Sequence, residues 1–558
     1  MWGGCPAPPP AGRARRPDPP ADGKTAMTTA PPAPRPRALA GATWPLVLLL
    51  AVALAGAGPG AGGRPGPLAG SGVDSVLHAM DGIDVAWAFP VGGWNFRPEP
   101  PRPYAAGKCA GPGGKWVDLV EDMYAAADGV TDDTEKLRAA LAELKAAGGG
   151  TVHFPEGRTF LIGPIVVSEP NVVLCVDGTI VAPPKPDFPD AECLAADDPT
   201  CERKGSPERR RLDYSYLVVS GARNVTITGK GAIDGNGEGW WEVRRYTPFV
   251  YAPVLVKIQD SAQVAFRGLR MVRSPFYHLV VLDSRDVSIE DVVIKAPEEA
   301  PNTDGVDILG SANVRIRRCS VDTGDDNCAI KEGSRNVLVE NSVFAKGHGV
   351  SIGSLGEHGT RGEVENVRFE NIVFNGTRWC SRVKTWQGGT GFVRNITYNK
   401  VLMQGVDVPL MIDQYYCPAS QHPGPCAEQP AAVKISDVEF SDIRGVQKSG
   451  IAATLKCSRT VPCENVRVRN VYVKPAWGAS NAFECDFIDL KSKFVWPAPR
   501  GCNVTELKHE DHHGVQPTKF SEREYRTFLL SLPLGPCIIL LAALYRRRAR
   551  RHVSAKSV

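Results

Sequence analysis

Residues 302–349 read NTDGVDILGSANVRIRRCSVDTGDDNCAIKEGSRNVLVENSVFAKGHG, and one phrase occurs in them twice: NVRIRRCSVDTG at 313 and NVLVENSVFAKG at 336. In each copy apolar residues alternate with polar ones, the period of a strand with one buried face. Gly, Asn and Asp mark the ends, as turns require. Toward the N-terminus the phrase recurs as NVTITGKGAIDG at 224, QVAFRGLRMVRS at 263 and DVSIEDVVIKAP at 286. Toward the C-terminus it recurs as NVRFENIVFNGT at 366, NITYNKVLMQGV at 395, AVKISDVEFSDI at 432 and NVRVRNVYVKPA at 465, with spacings of 23 to 39 residues.

A repeat of this size made of strands and turns means stacked coils, because one coil cannot bury its own inward row. Stacking supplies the core and pairs each strand in parallel with its neighbours. The expected fold is therefore all-β, a right-handed parallel β-helix. The two-residue Asn-Gly and Asp-Gly loops of a β-sandwich do not dominate. An open solenoid end needs a cover. Thr134–Ala147 (TEKLRAALAELKAA) puts Leu137, Leu141 and Leu144 on one helical face and is followed by three glycines, which predicts a short N-terminal capping helix. The preceding DGVTDDT (128–134) is expected to supply turn and N-cap residues.

Equivalent positions on successive coils lie about 4.8 Å apart, so segments one period apart become neighbours. Four polar segments have such spacings: Asn302–Asp304 (NTD), Gly324–Asp326 (GDD), Gly347–Gly349 (GHG) and Arg382–Lys384 (RVK). Alone, each has a structural reading: aspartates close turns, a histidine packs, and Arg and Lys two apart on a strand are solvated charge. Together they make a ribbon of three carboxylates, an imidazole and two cations. Glycosidic cleavage needs a carboxylic acid to protonate the leaving oxygen and a carboxylate to activate water or attack directly. Crowded carboxyls keep one proton near neutrality, which suits Asp304, Asp325 and Asp326 to both roles. The cations beside them suit a sugar that bears a carboxylate. The partner expected is an acidic polysaccharide.

The motifs NTDGVDILGSANVRI (302–316), TGDDNCAIK (323–331), GHGVSIGSLG (347–356), RVKTW (382–386) and IDQYYC (412–417) together resemble glycoside hydrolase family 28, the polygalacturonases. The resemblance runs from about Trp116 to Cys502, and DGVTDDT and VDGTIVAP (176–183) are similar to the N-terminal coils of the same superfamily. It implies inverting hydrolysis of α-1,4-linked galacturonic acid, with Asp325 as general acid. It implies that Asp304 and Asp326 position and activate water, that His348 tunes the acid, and that Asn302 orients substrate or water. Arg382 and Lys384 would grip the substrate carboxylate, and Tyr416 would line the same subsite. No metal and no cofactor is implied. Val383 stands where isoleucine is more usual. Rival readings are rhamnogalacturonan or xylogalacturonan hydrolysis, a calcium-dependent pectate lyase on the same fold, and a non-catalytic, membrane-anchored pectin-binding protein. GHG with RVK favours plain polygalacturonan, and three intact aspartates count against a binder.

The rest of the chain is read as appendages to a β-helix domain at 116–510. Residues 1–67 are a Pro/Ala/Gly-rich leader whose apolar run, 44–57, behind Arg35 and Arg37 is laid out as a secretory signal or signal anchor. Residues 68–115 form an extension without a clear reading, and 511–526 a linker. The uncharged stretch 527–545, followed by RRRARR, is expected to be a single membrane-spanning helix with a basic cytoplasmic tail at 546–558. A secretory localisation, a monomer and an extracellular or lumenal catalytic body follow. The formal charge of +4 is terminal: 1–40 carries +4 and 546–558 carries +6, which leaves the body at −6 and gives no case for nucleic-acid binding. Close cysteine pairs, 193/201, 417/426, 457/463 and 485/502, suggest loop-closing disulfides. Sequons stand at Asn224, Asn375, Asn395 and Asn503.

Overall fold

The computed structural model describes residues 99–102, 109, 114–185, 212–246, 252–418, 427–475 and 482–507. Successive strands stack in parallel as the coils of a β-helix. One face is an eleven-stranded sheet that follows chain order from Ile165–Val167 to Ala482–Asp486. Five of its strands position the site: β1 (Val306–Leu309), β2 (Cys328–Ile330), β3 (Val350–Leu355), β4 (Trp379–Thr385) and β5 (Val408–Asp413). Each pairs in parallel with the next.

The repeated phrase forms the opposite wall. Val314 and Ile316 pair with Val337 and Val339, and those with Val367 and Phe369, all facing the interior. Phe369, Tyr398 and Phe440 stack one per coil, with ring centroids 4.7 and 5.3 Å apart. Fully burying a large apolar side chain stabilises by about 1.5–3 kcal/mol, and the inward row repeats that gain on every coil. Where the chain turns into this wall, Asn313, Asn336, Asn366 and Asn395 take φ between 53° and 57°, a left-handed conformation asparagine tolerates. Their side chains form a ladder, each Nδ2 donating to the residue one coil earlier, beginning at Asp286.

One repeat is in a different register from that read in the sequence. The structure pairs Ile396 with Val438 and Tyr398 with Phe440, so the coil after Asn395 starts its phrase at Asp437 (φ 55°) rather than at Ala432. VKIS alternates as well as DVEF does, but only Asp437 has a side chain suited to the left-handed turn.

The helix α1 (Thr134–Ala147) buries Leu137, Leu141 and Leu144 in the core and ends at left-handed Gly148. Asp133 at its start makes no side-chain cap. Its carboxylate instead accepts from the Ala126 and Ala127 amides, and Asp128 accepts from Val130 and Thr131, so these acids close turns rather than cap the helix.

Disulfides join Cys457 to Cys463 and Cys485 to Cys502, as their spacing suggests. A third, Cys109–Cys175, spans 66 residues and has no local signal. Cys417 is disulfide-bonded, whereas Cys426 and the 193/201 pair lie outside the described residues. Cys319, Cys328 and Cys380 are buried free thiols. No helix among the described residues is long and apolar enough to cross a membrane. The leader, residues 68–98 of the 68–115 extension, the 511–526 linker, the 527–545 stretch and the 546–558 tail fall outside those residues.

Candidate active site

Val306, Cys328, Val350 and Ser381 are in register across β1 to β4. The residues two positions ahead of them are Asp304, Asp326, His348 and Trp379, which therefore occupy equivalent rungs. Asp326, not Asp325, is the rung partner of Asp304; Asp325 sits one residue earlier. Arg382 is within β4, level with Ser351, and Lys384 is level with Asp413 of β5. The four segments spaced one period apart in the sequence thus reach the cluster by two projections from the sheet, one from the rung ahead of each strand and one from within β4.

The cluster is closely bonded. His348 Nδ1 lies 2.8 Å from Asp325 Oδ1, which also accepts from the Asp326 amide at 2.8 Å. Asn302 Nδ2 donates to Asp325 Oδ2 at 3.1 Å. Lys384 Nζ donates to Asp326 Oδ2 at 2.8 Å and Ser351 Oγ to Asp326 Oδ1 at 2.9 Å. The Arg382 guanidinium lies 3.8 Å from Asp326, 3.9 Å above the Trp379 ring and 5.4 Å from that of Tyr416. Its Nε is buried without a hydrogen-bond partner among the described residues. Tyr416 also lies 5.6 Å from Lys384. All eight residues singled out from the sequence thus meet in one place.

Several residues that hold this place carry no obvious chemical signal. Thr303 Oγ1 accepts from the Gly324 amide and so ties the NTD turn to GDD. Asn327, fully buried, accepts from Gly349 and donates to the Val321 and Ala345 carbonyls, tying GDD to GHG. Gly349 comes so close to the Trp379 carbonyl that a Cβ there would lie 1.9 Å from it, so its left-handed φ of 77° and its lack of a side chain are both required. Trp379, edge-on to His348 at 5.3 Å, was missed because nothing in RWCSRVK singles it out without the register.

The electrostatics separate the three carboxyls. Burial, reinforced by Asp325, Asp307 and Asp326, raises Asp304 well above the ordinary carboxylate range. Its Oδ1 is buried with no partner among the described residues. Burial also pushes Asp325 up, but the hydrogen bond and charge of His348 outweigh it and bring Asp325 below its usual value. At Asp326, Lys384, Arg382 and His348 overcome burial and hold the carboxylate far down. In the free protein the proton-holding carboxyl is therefore Asp304, not Asp325. His278 is wholly buried beneath, with Nδ1 on the Asp304 carbonyl, and burial pushes it down to about 4, which keeps it neutral.

Among the described residues, two groups have atoms close enough to share a cation. One, Cys109, Cys175 and Asp177, is taken up by a disulfide. The other is Asp325, Asp326 and His348, where the Lys384 ammonium already neutralises Asp326.

Residues 206–493 match the model of glycosyl hydrolases family 28. A polygalacturonase of Juniperus ashei is 34% identical over 369 residues, covering 64% of this chain and 67% of its own length. A polygalacturonase of Persea americana is 31% identical over 376 residues, covering 66% and 76%. Among solved structures, the endo-xylogalacturonan hydrolase of Aspergillus tubingensis superposes with a TM-score of 0.56 at 21% identity, over 70% of this chain and 99% of that one. The polygalacturonase of Erwinia carotovora gives 0.53 at 23%, over 72% and 99%. At such identities the structural likeness shows the fold, the right-handed parallel β-helix. By the family model and its relatives the chain belongs to glycosyl hydrolases family 28, and is a glycoside hydrolase.

Proposed function

We propose that this hydrolase cleaves α-1,4-galacturonosidic bonds of pectic polygalacturonan with inversion. The observation that carries the reading is the buried Arg382–Lys384 pair beside the three aspartates, with Arg382 lacking a hydrogen-bond partner on its buried Nε among the described residues. A guanidinium held over the Trp379 ring with Tyr416 nearby is suited to a planar carboxylate, and galacturonan presents one on every sugar.

Asp325 is the general acid. In the free site His348 and Lys384 keep its carboxyl low. A substrate carboxylate on Lys384 and Arg382 offsets their charge, and exclusion of water adds to the burial penalty, so Asp325 takes up a proton from solvent as the substrate binds, balanced by the one that Asp326 later returns to solvent. Asp325 then gives its proton to the glycosidic oxygen as the C1–O bond breaks. Water attacks C1 from the opposite face and passes its proton to ionised Asp326. Asp304, which keeps its own proton longest, donates to that water and fixes its direction.

The test is incubation with polygalacturonic acid and with its methyl ester, following reducing ends, product size and the product anomer by NMR. The expected result is cleavage of the acid, initial inversion and weak action on the ester. Asp325→Asn should lower the rate by about 10²–10⁴-fold while the protein stays folded. Unsaturated, ultraviolet-absorbing ends or equal rates on acid and ester would refute the reading.

A further inference from the structure

We propose that Arg244 is a positioning residue that acts on Asp325 through Asn302, an inference that rests on the hydrolytic reading of the site. Arg244 is on helix α2 (Glu238–Tyr246), inserted between the strands Ala232–Asp234 and Val254–Gln259 rather than part of the repeated strand phrase. The helix is docked from outside. Trp241 packs with Ala296 and Ala300, next to the NTD turn, and its Nε1 donates to the Ser274 carbonyl at 2.9 Å. Arg273 pairs with Glu238 in the first turn at 2.7 Å. Arg244 is thereby buried, 5% exposed, with its guanidinium 4.5 Å above the Phe276 ring, itself stacked on Tyr277 at 3.9 Å.

From there Arg244 Nη2 donates to Asn302 Oδ1 at 2.6 Å, and Asn302 Nδ2 donates to Asp325 Oδ2 at 3.1 Å. A guanidinium has only donors, whereas an amide has an acceptor at one end and donors at the other. Arg244 therefore permits one orientation of the Asn302 amide, the one that presents N–H to Asp325. Turned by half a rotation, the amide would set an oxygen against the carboxylate. Asp325 is consequently held on both sides, Oδ1 by His348 and the Asp326 amide, Oδ2 by Asn302. The charged groups acting on it are His348, Asp326, Lys384 and Asp304, so a small rotation of its plane would change every one of those interactions.

The experiment is a double-mutant cycle on the full chain, read in two ways. With the galacturonan that the wild type cleaves, Arg244→Met and Asn302→Ala should each lower kcat about 10²-fold with KM little changed, and the double variant should be no slower than Asn302→Ala. Titration of the Asp325 carboxyl, followed by ¹³C NMR without substrate, should move to higher pH in both single variants, because each removes the directed amide donor on Oδ2. Arg244→Lys keeps a buried cation, and serves if the Met variant does not fold. It should give an intermediate kcat and an intermediate titration. Losses that multiply in the double variant, or an Asp325 titration unmoved in Arg244→Met and Arg244→Lys, overturn the relay. A wild type that cleaves no galacturonan overturns the hydrolytic reading instead, and the substrate-free titration still decides the relay.

Discussion

Asp304 shows most plainly what the site costs the fold. Its carboxyl is buried, unpartnered on Oδ1 among the described residues and raised by burial and by three neighbouring acids. A folded carboxyl raised above its unfolded value binds its proton more tightly in the folded state. Its contribution to stability is complete below the unfolded carboxylate value, about 3.9, and is lost as pH rises toward the folded value. Above that, folding forces a charge into the interior. Asp304→Asn removes the charge and keeps the shape. It should raise the melting temperature at pH 7, leave it nearly unchanged at pH 3.5, and lower activity by about 10²-fold or more; thermal unfolding at the two pH values and a reducing-end assay check this. An increase of equal size at both pH values would mean that the amide gains a hydrogen bond and that ionisation is not the cause. The three aspartates were legible in NTD and GDD because ionisable residues on consecutive turns are rare. Which of them keeps the proton was not, since that depends on the His348 bond and on the two cations reaching Asp326 from β4. Arg244 was illegible for a related reason: it enters from a helix outside the repeat, so no period points to it.

The ladder of asparagines is the element that sets coil register, and it explains the one repeat assigned wrongly. Alternation alone allows the phrase to start at VKIS or at DVEF, because both put an apolar residue at every second position and Val433, Ile435, Val438 and Phe440 are all buried. The turn decides, for it needs a side chain that tolerates positive φ and can bond along the stack; Asp437 fits and Ala432 does not. Asn336 tests this. It donates to Asn313 and accepts from Asn366, at a φ of 55°. Asn336→Ala should cost about 1–2 kcal/mol for the left-handed backbone and about 0.5–1.5 kcal/mol for each ladder bond. Asn336→Gly accepts the backbone and loses only the bonds, so it should be the less destabilising of the two. Urea titration of both variants measures the order. If Gly is as costly as Ala or worse, backbone conformation is not what selects asparagine at this turn.

On the scale of the whole molecule, the three disulfides with both cysteines described stand toward the ends of the solenoid and the buried thiols in the middle, while Cys417, beside Tyr416 of the site, is also disulfide-bonded. Cys109–Cys175 ties the first coils, and Cys457–Cys463 and Cys485–Cys502 tie the last, whereas Cys319, Cys328 and Cys380 lie among the coils that build the site. A solenoid coil contacts only its neighbours, so its stability is a sum of nearest-neighbour terms, and an end coil has one such term where a central coil has two. A cross-link supplies at the end what a missing neighbour cannot. The 17-residue separation of Cys485 and Cys502 corresponds to about 3 kcal/mol of chain entropy, to be lost in a variant carrying Cys485→Ser and Cys502→Ser. That loss should remain local: amide hydrogen exchange should quicken in Ala482–Asp486 and Ile488–Trp496, while β1 to β4 keep their protection. Because Asp304, Asp325, Asp326, His348 and Lys384 are carried on β1 to β4 or the turns leading into them, kcat at 25 °C should be unchanged. If protection instead falls by the same amount in β1 to β4 as in the last strands, the coils unfold as one unit, and the active-site geometry depends on the far end of the solenoid as much as on its own rungs.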